Sequence, residues 1–543
     1  MSEPQRNKPL VSSSEAWQQL QQHATEMASQ KPLSVLFEQN PERFQQHSIQ
    51  LGSLLFDYSK QRVTTETLKQ LMALARQQQL PEKIQQLLQG ASLNQTEGRA
   101  ALHTALRSPA DAKIIVDGRN VVTDVHQVRQ QMTTFVERVR EGVWRGFTGK
   151  RITDVVNIGV GGSDLGPKMI CRALRPGYGE KEPIRVHFIS SIDGAHAADI
   201  LPRLSPETTL FVVSSKTFTT TDTLANAAAA REWLAQASQH PRAVAQHFVA
   251  ATADPQQAER WGVPQENVFP FWEWVGGRYS MWSSIGLTIA LYLGMERFDA
   301  LLQGAQQIDQ HFSEAPLEQN IPVLMGLIGV WNSNFLGMPG QVVLPYAAHL
   351  SHLSNYLEQL EMESLGKSVT QQGGVVDYDT GPIIWGGVGS NAQHAFYQLL
   401  HQGTRFAPMD FILPIDPAGA EAVQYQLTIA NCLAQSRAFM VGQQSEDPHR
   451  LHPGNRPSST LLLDALTPHT LGMVVALYEH KVFVQSVIWE INPFDQFGVE
   501  LGKKIATQLH QHLIGEGEAG EYDGYDSSTR GLLQRIEQRG KQR

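Results

Sequence analysis

The segment 209–233 restricts the fold of this chain more than any other. An apolar run of five residues (209–213, TLFVV) enters the loop 214–221 (SSKTFTTT), and that loop opens an alanine-rich helical stretch (223–233, TLANAAAAREW). A strand that passes into a helix through a short loop is half of a βαβ unit. The loop carries six hydroxyls and one lysine in eight positions. Hydroxyls donate hydrogen bonds, Lys216 supplies charge, and the first turn of the following helix presents free backbone N–H groups. An anion fits such a loop, and a phosphate in particular. An ordinary Ser/Thr-rich loop ending in an N-cap satisfies the same pattern.

The alternation recurs along the chain. Residues 154–159 (DVVNIG) read as a strand, followed by a glycine turn and a helical stretch. Residues 185–190 and 267–271 are further strand candidates, and later 341–344, 382–385, 411–413 and 482–488. Helical stretches separate several of them. The expected fold is therefore α/β, with two doubly wound parallel sheets, one per half. Residues 1–112 are glutamine-rich, with leucines at helical spacing and few strand signals, so they are expected to be helical. The expected divisions are this N-terminal helical part of the large domain (1–112), a first, small α/β domain (113–285), a second, large one (286–513) and a C-terminal arm (514–543). Residues 515–520 are Gly/Glu-rich and precede a short basic helix, which reads as a frayed end or an arm around a partner subunit.

A length of 543 residues allows two or three domains with sizeable cores. The net charge of −9 disfavours general attraction to nucleic acid, so an anionic substrate needs local positive charge. Cys171 and Cys432 lie far apart and lack CxxC spacing. That fits a reducing compartment and argues against a disulfide framework. Residues 1–14 are polar, without the apolar core of a signal peptide, and the greasiest stretch, 471–489, is broken by Glu479, His480 and Lys481. A cytoplasmic protein with no membrane span is expected.

Six segments carry candidate chemistry. The first is SSKTFTTT itself. In the second, 159–167 (GVGGSDLGP), Gly159, Gly161 and Gly162 let the backbone approach a ligand and Ser163 can donate to it. It is neither the dinucleotide fingerprint, since Asp164 occupies the third glycine position, nor a Walker loop. A plain βα turn reads the same way. In 275–280 (VGGRYS), Arg278 follows two glycines, and a guanidinium at a pocket mouth can stabilise charge developing on oxygen. In 358–367 (EQLEMESLGK) three glutamates crowd one helix end, and crowding with partial burial raises a carboxyl towards the range of a base. Glu363 stands out because it leads into the helix stop Ser364-Leu365-Gly366. In 385–403 a strand end, a glycine turn and a helix start place His394 in about the first turn, where the helix's positive end favours neutral imidazole. His349, His352 and His401 read better as packing or capping residues than as metal ligands, because no HExxH or carboxylate–histidine cluster accompanies them. Finally, 494–504 (FDQFGVELGKK) sets Gln496 and Lys503 on either side of a glycine; Lys504 reads as a solvated helix lysine.

These segments, in this order and spacing, resemble the phosphoglucose isomerase family over nearly the whole chain. Residues 98–107 (GRAALHTALR), 454–457 (GNRP) and 478–485 (YEHKVFVQ) agree as well. The resemblance implies two sugar-isomerase-type (SIS) domains with a C-terminal helical arm, a homodimer, and interconversion of glucose 6-phosphate and fructose 6-phosphate. It implies a phosphate cradle of Ser215, Thr217 and Thr220 with Lys216 nearby, and substrate-facing Gly162 and Ser163. Glu363 matches the base that moves a proton between C1 and C2, and Arg278 the cation beside the enediolate. His394 matches the group that helps open the sugar ring, reaching over from the other subunit. Lys503, Gln496 and Gln359 match further groups near the ring oxygen and substrate. No cofactor and no metal are expected, since one base can ferry the proton across one face of the sugar. Where the family usually has Asn, Thr, Gly and Glu, this chain has Leu365, Ser390, Ala392 and Asp222. None of these removes a reacting group, although Leu365 removes a polar side chain beside the base. A sugar-phosphate sensor on the same fold would need the cradle but not Glu363, Arg278, His394 and Lys503.

Overall fold

The structure is a computed structural model and describes residues 9–28, 32–175, 184–238, 240, 242–416, 421–514 and 524–540. The Gly/Glu-rich segment 515–520 lies outside the described residues. The chain divides into two compact units, 1–494 and 495–543.

In the first unit the strands are β1 (Ser48–Leu51), β2 (Leu54–Asp57), β3 (Ile115–Val116), β4 (Arg119–Asn120), β5 (Asp154–Ile158), β6 (Arg185–Ile189), β7 (Thr209–Ser214), β8 (Phe248–Thr252), β9 (Val268–Pro270), β10 (Gly340–Pro345), β11 (Ile383–Gly386), β12 (Met409–Pro414) and β13 (Ser458–Leu463). One sheet has the order β6-β5-β7-β8-β9 and is parallel throughout. Strands β5 and β7 are buried at every position, which explains their continuous apolar runs: helices cover both faces. The chain leaves β5 for β6 on one side and returns to β7 on the other. The crevice beyond the carboxyl ends of β5 and β7 is therefore a topological switch point, the place where such sheets bind ligands.

The second sheet has the order β1-β2-β13-β12-β10-β11. Its β10, β11, β12 and β13 are parallel, with a second reversal of order between β10 and β12. The hairpin β1–β2 extends it, and β2 runs antiparallel to β13. This corrects the expectation of few strands near the N-terminus. The signal was two short apolar runs on either side of Gly52-Ser53, the length of a tight hairpin connection.

A second correction concerns 482–488, expected as a strand. It is the last part of the helix Pro468–Ile488. That helix starts with a capping box between Thr467 and Thr470 and has proline in its first turn. It is 94% buried at a mean hydropathy of 1.3, so apolar residues surround it and no 3.6-residue stripe marks it. It lies against the helices Met295–Glu314 and Ile321–Val330. Glycines allow the close crossing: a Cβ on Gly304 would come within 1.8 Å of the His469 carbonyl oxygen, and one on Gly472 within 2.1 Å of that of Leu301. The three charged residues that interrupt the helix each have partners. Glu479 accepts from Arg107 (2.6 Å) and Trp282 (2.7 Å), His480 meets Asp309 (2.6 Å), and Lys481 meets Glu361 (2.6 Å). Strands β8 and β13 also went unread: FVAAT and SSTLLL mix small or hydroxyl residues into short runs.

The second unit contains the turn Phe497–Val499 and the helices Glu500–Leu513 and Ser527–Gly540. The last of these carries Arg530, Arg535 and Arg539, the short basic helix expected near the C-terminus.

Candidate active site

The site begins at the switch point. Strand β5 passes through Gly159 into the turn Gly161–Ser163 and then the helix Leu165–Ala173. Strand β7, its parallel neighbour, passes through 215–220 into the helix Thr221–Ala237. Asn157, fully buried one place before the end of β5, ties the two loops together. Its Nδ2 donates to the Ser163 carbonyl (3.0 Å), and its Oδ1 accepts from Ser214 Oγ (3.2 Å) and Thr288 Oγ1 (3.0 Å).

The hydroxyl loop is held from within. Ser215 Oγ lies 3.1 Å from Thr220 Oγ1 and accepts from the Phe218 N–H at 3.1 Å. Phe218 adopts φ 51°, a left-handed conformation rare for an aromatic residue, and its ring is buried. The buried ring fixes the turn, while Thr217 and Thr219, 2.8 Å apart at their hydroxyls, stay exposed. Thr220 is the N-cap of the helix Thr221–Ala237 and makes no side-chain cap bond, so its hydroxyl is not used to satisfy the first-turn N–H groups. The Lys216 ammonium donates to the carbonyls of Glu273 (2.7 Å) and Val275 (3.0 Å), and burial lowers its pKa. It fastens the loop to the segment leading into Gly277–Trp282.

That segment carries Arg278, only 2% exposed. Its Nε donates to Ser364 Oγ (2.6 Å), its Nη1 to Glu363 Oε1 (2.9 Å) and its Nη2 to the Pro493 carbonyl. Tyr279 OH shares the Ser364 hydroxyl at 3.0 Å, and Tyr356 OH donates to the Arg278 carbonyl at 3.2 Å. The turn 161–163 packs directly on this backbone. A Cβ on Gly162 would lie 2.0 Å from the Gly277 oxygen and 2.7 Å from the Arg278 nitrogen. Gly162→Ala is therefore expected to push the two loops apart and lower kcat/KM by about 100-fold, with the melting temperature reduced far less; steady-state kinetics beside a thermal melt checks this.

Glu363 stands at the end of an unusual helix. The helix Leu353–Glu358 continues as a π-helical turn, Gln359–Glu363, a geometry found mostly at functional sites. Gln359 Nε2 donates to Glu363 Oε2 at 2.8 Å, and a Cβ on Gly161 would sit 3.2 Å from that same nitrogen. Lys367 Nζ closes the end, donating to the carbonyls of Glu363 (3.1 Å) and Ser364 (3.2 Å). The Glu363 side chain is 24% exposed. The expected crowding of carboxylates does not occur: Glu358 accepts from Asn355 (3.5 Å) and Glu361 faces the core on Lys481, leaving Glu363 to Arg278 and Gln359. Glu361 and Glu363, two residues apart, point to opposite sides of the helix.

The structure thus brings together Gly162, Ser163, Ser215, Thr220, Arg278, Gln359 and Glu363. His394 lies elsewhere, on the exposed turn just past the short helix Gly389–Ala392 that follows β11. His401 packs as expected, stacked on Phe439 at 3.9 Å with its Nε2 2.9 Å from Gln435. Gln496 and Lys503 belong to the second unit, before the turn Phe497–Val499 and on the exposed first turn of Glu500–Leu513. Leu365 and Ala392 are both buried. Among the described residues, no group of three or more His, Cys, Asp or Glu side chains is placed to hold a metal ion.

Residues 57–533 match the sequence profile of the family described as Phosphoglucose isomerase. The chain belongs to the phosphoglucose isomerase family. Its relatives include the glucose-6-phosphate isomerase of Chlorobium luteolum, 48% identical over 542 residues, with 96% of this chain and 97% of that protein covered. Another is the glucose-6-phosphate isomerase of Psychrobacter cryohalolentis, 48% identical with 99% and 100% covered. The crystal structure of a glucose-6-phosphate isomerase from Chlamydia trachomatis superposes with a TM-score of 0.86 at 32% identity, covering 97% of this chain and 99% of that one.

Within this phosphoglucose isomerase fold, sequence reasoning missed the residues that hold the reacting groups. Asn157, Tyr279 and Lys367 carried no reading of their own, and Ser364 was read only as part of a helix stop. Asn157 had one signal, a polar residue inside an apolar strand next to a glycine turn. Ser364 and Lys367 had only their nearness to Glu363.

Proposed function

We propose that this chain catalyses the reversible isomerisation of glucose 6-phosphate and fructose 6-phosphate through a cis-enediol(ate), a step of glycolysis and gluconeogenesis, with Glu363 as the proton carrier. The observation that carries the reading is the Glu363 carboxylate, half-buried between Arg278 (2.9 Å) and Gln359 (2.8 Å), with the Gln359 amide nitrogen 3.2 Å from where a Cβ on Gly161, in the loop that leaves β5, would sit.

The hydroxyls of Ser215, Thr217 and Thr220 and the N-terminus of the helix Thr221–Ala237 take the phosphate, and Lys216 keeps their loop in place. Anchoring that end sets C1 and C2 against Glu363. Glu363 removes the proton from C2 of the open-chain aldose, the C–H electrons become the C1–C2 double bond, and O1 gains negative charge. Glu363 then returns the proton to C1 while the O2 hydroxyl proton passes to O1, so that C2–O becomes the ketone and C1–O the alcohol, and the sugar is neither oxidised nor reduced overall. The Arg278 guanidinium lies next to the base and lowers the cost of charge on the enediolate oxygens. Gly162, Ser163 and Gln359 face the sugar, and the Gln359 side-chain oxygen, buried without a partner among the described residues, suits a sugar hydroxyl. Gln496 and Lys503 act near the ring oxygen.

Ring opening is assigned to His394 from a second copy of the chain. Two features support a homodimer: the imidazole is exposed on its own subunit, and the helix Ala422–Val441 exposes Val423, Leu427 and Leu433. Both cysteines are free and buried, in keeping with a reducing compartment.

Thr220→Val tests the phosphate cradle. KM for fructose 6-phosphate is expected to rise about tenfold, the value of one charge-assisted hydrogen bond, with kcat changed far less. The same substitution should leave the weak reaction of unphosphorylated fructose unaltered. An equal loss for both sugars would remove Thr220 from phosphate binding.

A further inference from the structure

Glu361 sits two residues before Glu363 on the same π-helical turn and faces the opposite way. Its carboxylate is fully buried and accepts from Lys481 Nζ through both oxygens, at 2.9 and 2.6 Å. Lys481 completes its coordination with the Gln341 side-chain oxygen on β10 at 2.7 Å. Gln341 in turn donates to Asp410 on β12, which also accepts from Tyr478 at 2.9 Å. The turn that carries the base is therefore tied through one side chain to the buried helix Pro468–Ile488 and to two strands of the second sheet.

A buried ion pair is a poor source of stability. Removing two charges from water costs about as much as their attraction returns, and an apolar pair of the same volume often serves as well. What a two-oxygen contact supplies is orientation. A π-helical turn is rare and occurs mostly as a single turn set into an α-helix. Rotation of this turn about its axis would swing Glu363 away from Arg278 and Gln359. We propose that Glu361 and Lys481 are positioning residues for proton transfer: their buried contact fixes the rotation of the π turn and so aims the Glu363 carboxylate at the reacting carbons.

The inference rests on Glu363 being the proton carrier, so Glu363→Gln is measured alongside. The central variant is Glu361→Leu/Lys481→Met with Gln341→Leu and Asp410→Asn, which removes the ion pair at similar volume together with the Gln341 oxygen and the Asp410 charge that Lys481 also serves. Its melting temperature is expected to stay close to wild type, and KM and inhibition by inorganic phosphate to stay within about twofold. Its kcat is expected to fall about 100-fold, the effect of an ångström-scale misplacement. The primary isotope effect with C2-deuterated glucose 6-phosphate should rise as proton transfer becomes rate-limiting. Wild-type kcat in the folded quadruple variant overturns the proposal, as does a loss of kcat matched by an equal loss of phosphate inhibition. If the quadruple variant fails to fold, Glu361→Gln decides: lower kcat at an unchanged melting temperature supports positioning, and a lower melting temperature at unchanged kcat refutes it. Near-wild-type turnover in Glu363→Gln would remove the reading beneath the proposal; an inactive Glu363→Gln beside a fully active quadruple variant would overturn the positioning pair alone.

Discussion

Glu363→Gln leaves the chain folded and lowers turnover of fructose 6-phosphate by about 10²–10⁴-fold, the usual contribution of a positioned base. The amide matches the carboxylate in shape, so the contact with Gln359 at 2.8 Å can be kept through its oxygen. Arg278 loses its charged partner but keeps Ser364 and the Pro493 carbonyl. The fold therefore has little reason to change, whereas the proton has nowhere to go. Proton NMR in deuterated buffer adds a direct reading: wild-type enzyme exchanges sugar hydrogen with solvent at C1 or C2, and the variant should not. A rate near wild type would take Glu363 out of the role.

Arg278→Lys is expected to cost about 10²–10³ in kcat, a large effect for a substitution that keeps the charge. The guanidinium donates in three directions at once, to Ser364, Glu363 and Pro493, from a site where it is almost fully enclosed. A compact ammonium on a flexible stem cannot reproduce that planar fork. Burial also favours the neutral amine, which would leave the enediolate without its cation. Binding of inorganic phosphate, measured as competitive inhibition, should change little, because the cradle at 215–220 is untouched. Wild-type kcat in this variant would mean that the charge on the enediolate is stabilised elsewhere.

Much of this was legible in the sequence where physics leaves a local trace. Strands β5 and β7 are buried on both faces, so their apolar runs are unbroken, and the glycines and hydroxyls after them mark loops able to meet a ligand. Asp154 and Thr209 begin those strands as the sequence suggested. The helix Pro468–Ile488 was legible only in part. A helix buried on every side has no polar face, so its valine-rich end reads as a strand until Thr467, Pro468 and Thr470 are taken as a helix start. The hairpin β1–β2 escaped because each strand has four residues within a glutamine-rich stretch. The site residues Arg278 and Glu363 were visible as motifs, yet their direct contact was not, because 85 residues separate them. The π turn left no local signal at all. Which of the two faces meets the core, so that Glu361 turns to Lys481 and Glu363 to Arg278, depends on a helix 120 residues away.

The most direct test of the account is conversion of fructose 6-phosphate to glucose 6-phosphate by the purified chain, in excess chelator, with the product followed through a coupled reaction. The account predicts sustained turnover that chelation does not slow. Binding of fructose 6-phosphate without turnover, or turnover that stops on chelation and returns with a divalent cation, would contradict it.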